Sequence, residues 1–209
     1  AKRRNQDKCE TLTLDATTLE DDHNRIEFLK RFGFILQEES SILFSFSLKP
    51  PLPEPILPAG FTIRPMGGMA ELEAYVALHR AAFGTENMTL AYRQSIMKAP
   101  DYIPELDLVV VATNGDLAAF CVCQIFPDDS PRAGGQKEGW TDPLGTHPNF
   151  RGLGLAHALI LTGMRLLRDR GIDTALLGTS STNIAMQRLA EKIGFKLVSN
   201  TLFFSKPVD

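Results

Sequence analysis

The stretch Thr146-His147-Pro148-Asn149-Phe150-Arg151-Gly152-Leu153-Gly154-Leu155-Ala156 decides how this chain is read. It runs from an extended segment through a glycine-rich turn into an amphipathic helix. Gly152 and Gly154 let the backbone turn tightly and come close to a ligand. The first N–H groups of the following helix have no partner inside it and point outward, where the helix dipole adds its attraction for an anion. The stretch therefore reads as a phosphate cradle. A glycine pair before a helix also occurs in proteins that bind no nucleotide, so the surroundings must decide. A dinucleotide fold needs an opening strand just before the loop and an acidic residue about twenty residues after it. Asp173 stands there, but two long β-type segments precede the loop, and Pro143 and Pro148 do not suit a central parallel strand. No Lys-Ser or Lys-Thr follows the glycines, which removes a Walker-type loop.

Arg151-x-x-Gly154-x-Ala156 resembles the acyl-CoA pyrophosphate loop of the GNAT N-acetyltransferase superfamily, and Leu144-Gly145-Thr146-His147-Pro148 is similar to that family's fourth strand. Asn183 with Leu189, Glu191, Gly194 and Phe195 resembles its second signature helix. The resemblance implies an α/β fold with a mixed sheet, acetyl-CoA as co-substrate, and transfer of an acetyl group to an amine of a small molecule or a protein.

Composition sets the bounds. The chain has 209 residues and 44% hydrophobic content, enough for a substantial core. A net charge of −3 and a pI near 5.8 give no electrostatic footprint for nucleic acid, and no basic run suggests a membrane surface. Three cysteines, Cys9, Cys121 and Cys123, do not form a disulfide framework, and no apolar stretch is long enough to span a bilayer. The cytoplasm is the expected compartment. Ala1-Lys2-Arg3-Arg4 lacks a following apolar run and does not read as a secretory signal. Cys121 and Cys123 share a strand face, yet no Cys or His pair completes a metal site, so buried packing is expected of them. No Gly-x-Ser-x-Gly elbow occurs to support a serine hydrolase.

The proline-rich segment 49–60 blocks helix and central strand and reads as a linker between 1–48 and 61–209. Beyond it, Phe61–Arg64 alternates like a strand, and helices are expected over Ala70–Phe83 and Leu90–Ala99. Leu108–Ala112 and Ala118–Phe126 flank Asn114-Gly115-Asp116 as an antiparallel hairpin. A polar loop over Asp128–Gly135 leads to a strand from Glu138 to Thr146, and Leu155, Ala156, Leu159, Ile160, Leu166 and Leu167 place a wide apolar stripe on the next helix. Thr174–Gly178 reads as a buried strand, Asn183 as the cap of a helix ending at Gly194, and Phe195–Ser205 as closing strands.

In the first 48 residues, Asn24-Arg25-Ile26-Glu27-Phe28-Leu29-Lys30-Arg31-Phe32-Gly33-Phe34 echoes the eleven residues Ala185–Phe195. An internal repeat is one reading, a generic strand-helix-hairpin appendage the other. With Thr11–Leu14 before it and Ile42–Leu48 after it, the repeat resembles the C-terminal half of a GNAT domain, as in a tandem GNAT protein. Such a half-domain would expose apolar surface and is expected to pack on the rest of the chain or on a second copy, as a homodimer.

The resemblance also implies roles. Backbone groups of Leu144, Gly145 and Thr146 would pair with the pantetheine arm, and those of Gly152, Leu153, Gly154, Leu155 and Ala156 would hold the pyrophosphate, with Arg151 either adding a charge-assisted contact or aiding the turn. Asn183 is either a cofactor contact or a plain cap. Glu138 and Asp142, two steps of strand alternation apart, are alternative general bases, each with a structural reading of equal weight. His147, before Pro148, reads as a strand terminator. Many family members carry a tyrosine acid after the signature leucine; here Leu189 is followed by Ala190, leaving Ser180, Ser181 or solvent to protonate the thiolate. Trp140, Phe83 and Tyr92 either line an acceptor pocket or pack. An acetyltransferase and a catalytically silent acyl-CoA binding module both remain compatible with these residues.

Overall fold

The computed structural model describes residues 12–126 and 137–208. The polar loop expected over 128–135, the basic start and Cys9 lie outside the described residues. Two compact units are formed: one from residues up to Phe44 with Gly178–Arg188 and the residues from Leu197 on, the other from Ser45–Leu177 with Leu189–Lys196.

In the larger unit, β3 (Thr62–Pro65), β4 (Asp107–Val111), β5 (Leu117–Val122) and β7 (Leu144–Thr146) make a four-stranded antiparallel sheet in the order β3-β4-β5-β7. The β4–β5 hairpin closes at Asn114-Gly115, where the Asn114 side chain accepts from the Asp116 amide at 3.1 Å. α2 (Leu72–Phe83), entered by a 3-10 turn over Gly68–Glu71, and α4 (Leu155–Asp169) both pack against this sheet. α2 also packs on α3 (Leu90–Met97). The core on the α2 side joins Met66, Tyr75, Leu78, Val109, Leu117, Phe120 and Val122. α4 buries Leu155, Leu159, Ile160 and Leu167 of the predicted stripe together with Met164, while Ala156 and Leu166 are half-buried at its margins.

The segment read as one strand from Glu138 to Thr146 is two. β6 (Glu138–Trp140) pairs in parallel with the start of β8 (Thr174–Ser180), Glu138 opposite Thr174 and Trp140 opposite Leu176. β7 pairs antiparallel with β5, Leu144 opposite Cys121 and Thr146 opposite Ala119. The change of partner falls at Thr141-Asp142-Pro143, where the proline has no N–H for a ladder and the Asp142–Pro143 peptide is cis. Burial nevertheless alternates from Glu138 to Asp142, with Gly139 and Thr141 buried and Glu138, Trp140 and Asp142 half-buried.

The proline-rich segment has no regular secondary structure but is fixed on α4. The Arg165 guanidinium donates to the Leu52 carbonyl at 3.0 Å and the Pro53 carbonyl at 3.2 Å, and pairs with Glu54 at 2.6 Å. Leu52 is buried.

In the smaller unit, β1 (Thr13–Leu19) pairs antiparallel with β9 (Lys196–Pro207), which is one strand of 12 residues where closing strands were expected. α1 (His23–Arg31) precedes β2 (Ile35–Ser47). β1 and β8 are each seven residues long. α1 opens on Asp22, whose carboxylate accepts from the Arg25 amide at 3.0 Å, and α5 (Ile184–Ile193) opens on Asn183, which accepts from the Met186 amide at 3.2 Å. Leu12, Leu14, Leu19, Phe28, Phe32, Ile35 and Leu36 are exposed, and the Phe28 and Phe32 rings lie 4.5 Å apart. Among the described residues, no helix is long and apolar enough to cross a membrane.

Candidate active site

The cradle is built as its sequence requires. Pro148–Phe150 forms a 3-10 turn, capped by His147, whose Nδ1 accepts from the Asn149 amide at 3.2 Å. This is the strand-terminating role expected of His147. Gly152 and Gly154 both stand at φ +79°, in the left-handed region, and a Cβ built on either meets nothing within 4 Å. Gly154 is the N-cap of α4 and supplies no side-chain acceptor, so the amides of Leu155, Ala156 and His157 are left without a capping side chain. An open turn running into a bare helix N-terminus fits a pyrophosphate. Leu153 is exposed and Ala156 half-buried, whereas the Leu155 side chain is buried in the core. His157 follows them; burial and then Lys192 push its pKa below the ordinary histidine value.

Arg151 is engaged by protein: its guanidinium donates to the Ala82 carbonyl at 2.9 Å and its Nε to the Thr146 carbonyl at 3.4 Å. It ties the end of α2 to the turn. Among the described residues β7 is the last strand of its sheet, so Leu144, Gly145 and Thr146 turn one edge to β5 and leave the other outside the sheet ladder. Gly145 lies under α2: a Cβ there would stand 2.6 Å from the Phe120 ring and 2.9 Å from the Ala82 Cβ.

Glu138 and Asp142 are both half-buried. Phe83 and Tyr92 are exposed at 46% and 57%, and the Phe83 ring lies 4.7 Å from that of His79 and 6.0 Å from that of Phe120. Trp140 buries its Nε1 without a hydrogen-bond partner. Ser181 and Asn183 fall in the smaller unit, where the Ser181 hydroxyl oxygen accepts from the Ser40 amide at 2.9 Å and Asn183 acts as the helix cap. Ser180 shares a hydrogen bond with Thr182 at 2.7 Å. Cys121 and Cys123 are buried, as expected, with their sulfurs 3.8 Å apart. No metal-holding group of His, Cys, Asp and Glu occurs among the described residues.

Sequence reasoning missed a buried polar cluster beside this site. Arg93 of α3 pairs with Asp107 at the head of β4, and its guanidinium carbon stands 3.7 Å above the Tyr75 ring. The Tyr102 hydroxyl donates to the same Asp107 oxygen at 2.5 Å. Burial pushes the Asp107 carboxyl up, while Arg93 and Tyr102 pull it back. The available signal was one acid heading the otherwise apolar run Leu108–Val111. His79, one helical turn after Tyr75, stacks on Phe120 at 5.3 Å with its Nδ1 buried and unpaired.

The sequence pattern of the acetyltransferase (GNAT) family matches residues 72–195 of this chain. The chain belongs to that family and with it to the acyltransferases. The chain is 33% identical over 153 residues to mycothiol acetyltransferase of Salinispora tropica and 25% identical over 186 residues to that of Saccharomonospora viridis. These matches take in 71% and 85% of this chain but only 48% and 59% of the relatives' lengths. Among solved structures, a GCN5-related N-acetyltransferase from Sphaerobacter thermophilus superposes with a TM-score of 0.77 at 22% identity, over 94% of this chain and 60% of that one. A tandem GNAT protein from the clavulanic acid biosynthesis pathway superposes with a TM-score of 0.74 at 16% identity, over 94% and 65%. These likenesses fix the fold as the mixed α/β arrangement of the GNAT family.

Proposed function

We propose that this chain transfers an acetyl group from acetyl-CoA to an amine. The observation that carries the reading is the left-handed Gly152/Gly154 turn opening α4 directly after β7, the strand whose outer edge is outside its sheet. Backbone amides from Gly152 to Ala156 hold the pyrophosphate, and the outer edge of Leu144–Thr146 pairs with the pantetheine arm and polarises the thioester carbonyl. Asp142 or Glu138 takes a proton from the acceptor ammonium, directly or through water. The neutral amine attacks the carbonyl carbon, the new C–N bond forms, the C–S bond breaks, and the CoA thiolate is protonated. The enzyme's main contribution is to hold the two reactants together. Ala190 cannot supply the last proton. Ser181, whose oxygen accepts from Ser40, still has its own O–H to give and stays with solvent as the donor to test.

The relatives' name makes amines related to mycothiol the first acceptors to try, ahead of protein amines; neither nucleic acid nor membrane enters the reading, and the compartment is the cytoplasm. Calorimetric titration of acetyl-CoA into the wild type and a Gly154→Glu variant tests the cradle, because the added carboxylate repels the pyrophosphate. Binding that the variant abolishes supports the proposal. No binding by folded wild type ends it. Turnover with an amine panel and Asp142→Asn and Glu138→Gln then separates an enzyme from a silent binding module, the reading that Ala190 favours.

We further infer that β1–α1–β2 repeats β8–α5–β9 as half of a second GNAT-like domain. Support comes from the equal lengths of β1 and β8, the caps three residues before Arg25 and Met186, and the single buried residue of each helix, Leu29 and Ala190. The exposed apolar side chains of β1, α1 and β2 then mark the face that the other half of such a domain, or a second copy in a homodimer, would cover. Sedimentation of wild type and a Phe28→Ser/Phe32→Ser variant tests the second: a dimer dispersed by the variant supports it, and a wild-type monomer removes it.

A further inference from the structure

The crossover Thr141-Asp142-Pro143 is held from two sides. From β8, the Leu176 carbonyl accepts both the Thr141 amide at 2.9 Å and the Thr141 hydroxyl at 3.0 Å. From β5, the Cys121 thiol donates to the Thr141 carbonyl at 3.3 Å, and the Val122 amide donates to the Pro143 carbonyl at 3.0 Å. Thr141 and Cys121 are both completely buried. The hydrogen bond to Cys123, then burial, keeps the Cys121 thiol protonated and so a donor.

Packing does not ask for this hydroxyl. Valine has nearly the same shape, and the Leu176 carbonyl would still receive the Thr141 amide, so nothing would be orphaned. A second donor to an acceptor already satisfied adds direction: it fixes the Thr141 side-chain rotation and, through it, the backbone that enters Asp142. Residues flanking Asp142 on both sides are thus pinned, while Asp142 itself stays half-buried where β6 and β7 part.

We propose that Thr141 is a positioning residue: its hydroxyl, donated to the Leu176 carbonyl while its own carbonyl accepts from the Cys121 thiol, sets the backbone from which the Asp142 carboxylate meets the acceptor amine. The inference rests on the reading of Asp142 as the general base. A misplaced base lowers the chemical step and leaves cofactor binding alone.

The test compares Thr141→Val, Thr141→Ser and Asp142→Asn in the intact chain. CoA release is followed chromatographically with glucosamine, cysteine and spermidine as acceptors, and acetyl-CoA affinity by calorimetry. Expected are a kcat for Thr141→Val lower by about 10- to 100-fold, a Kd for acetyl-CoA unchanged, and kcat restored in Thr141→Ser. Asp142→Asn falls at least as far. Wild-type turnover that Asp142→Asn abolishes and Thr141→Val leaves intact overturns the positioning role while sparing the base. Equal losses in Thr141→Ser and Thr141→Val overturn it too, since the hydroxyl is then not what matters. Full activity in Asp142→Asn removes the base assignment itself, and the inference with it.

Discussion

Arg93 and Asp107 form an ion pair sealed from solvent, with side-chain exposures of 1% and 0%. The pair joins α3 to the first residue of β4, and Tyr75 stacks beneath it. Removing one partner strands a buried charge, so Arg93→Met or Asp107→Asn is expected to cost about 3–5 kcal/mol. The joint replacement Arg93→Met/Asp107→Leu removes both charges and is expected to recover most of that. Urea midpoints of the three variants check the ordering.

Tyr102→Phe takes one donor from Asp107 and leaves the ion pair. Its expected cost is about 1–3 kcal/mol, below that of Asp107→Asn. Thermal melts of both variants give the comparison, and a larger loss for Tyr102→Phe would contradict the assigned hierarchy.

His79 makes stability depend on acidity. Burial, and then the Arg93 charge, lowers its pKa in the folded chain. The unfolded chain therefore takes up a proton first as pH falls below about 6.5. The stabilisation from this group is complete above that value and is lost as pH falls towards the folded pKa. Urea midpoints between pH 7.5 and pH 5, at about half-unit steps, are expected to drop less in His79→Gln than in the wild type.

Two glycine substitutions should fail for different reasons. Gly145→Ala forces a methyl against Phe120 and Ala82 and is expected to cost about 1–3 kcal/mol through overpacking. Gly152→Ala meets no neighbour and is expected to cost about 1–2 kcal/mol through its left-handed backbone. Melting temperatures measure both, and a calorimetric titration with acetyl-CoA shows whether the relaxed turn still binds.

Local signals carried far in this chain. The Asn114-Gly115 hairpin, the α4 stripe, the Asn183 cap and the glycine turn all depend on residues close in sequence, where spacing and turn chemistry act directly. Pairing is another matter. Nothing in Glu138–Thr146 says that its first part pairs with a strand near residue 175 and its second with one near residue 120. Pro143 hinted at a break, yet the partners come from tertiary packing. Arg93 and Asp107 were likewise hidden, because a helix of mixed polarity reads as solvated until a partner closes over it. What holds the proline-rich segment was hidden for the same reason: Arg165 lies more than a hundred residues away.

Gly152 and Gly154 also bear on how this turn can change over generations. Some other glycines are restricted by volume, as at Gly163, where a Cβ would stand 2.4 Å from the Cys123 sulfur. Such a site can be reopened by trimming its neighbour. At 152 and 154 there is no neighbour to trim, and the restriction is handedness itself, a property of L-residues that no surrounding substitution relieves. The cradle is therefore a stretch that drift can lose one glycine at a time and can rebuild around another side chain only at the cost of a left-handed L-residue, lowest for Asn or Asp.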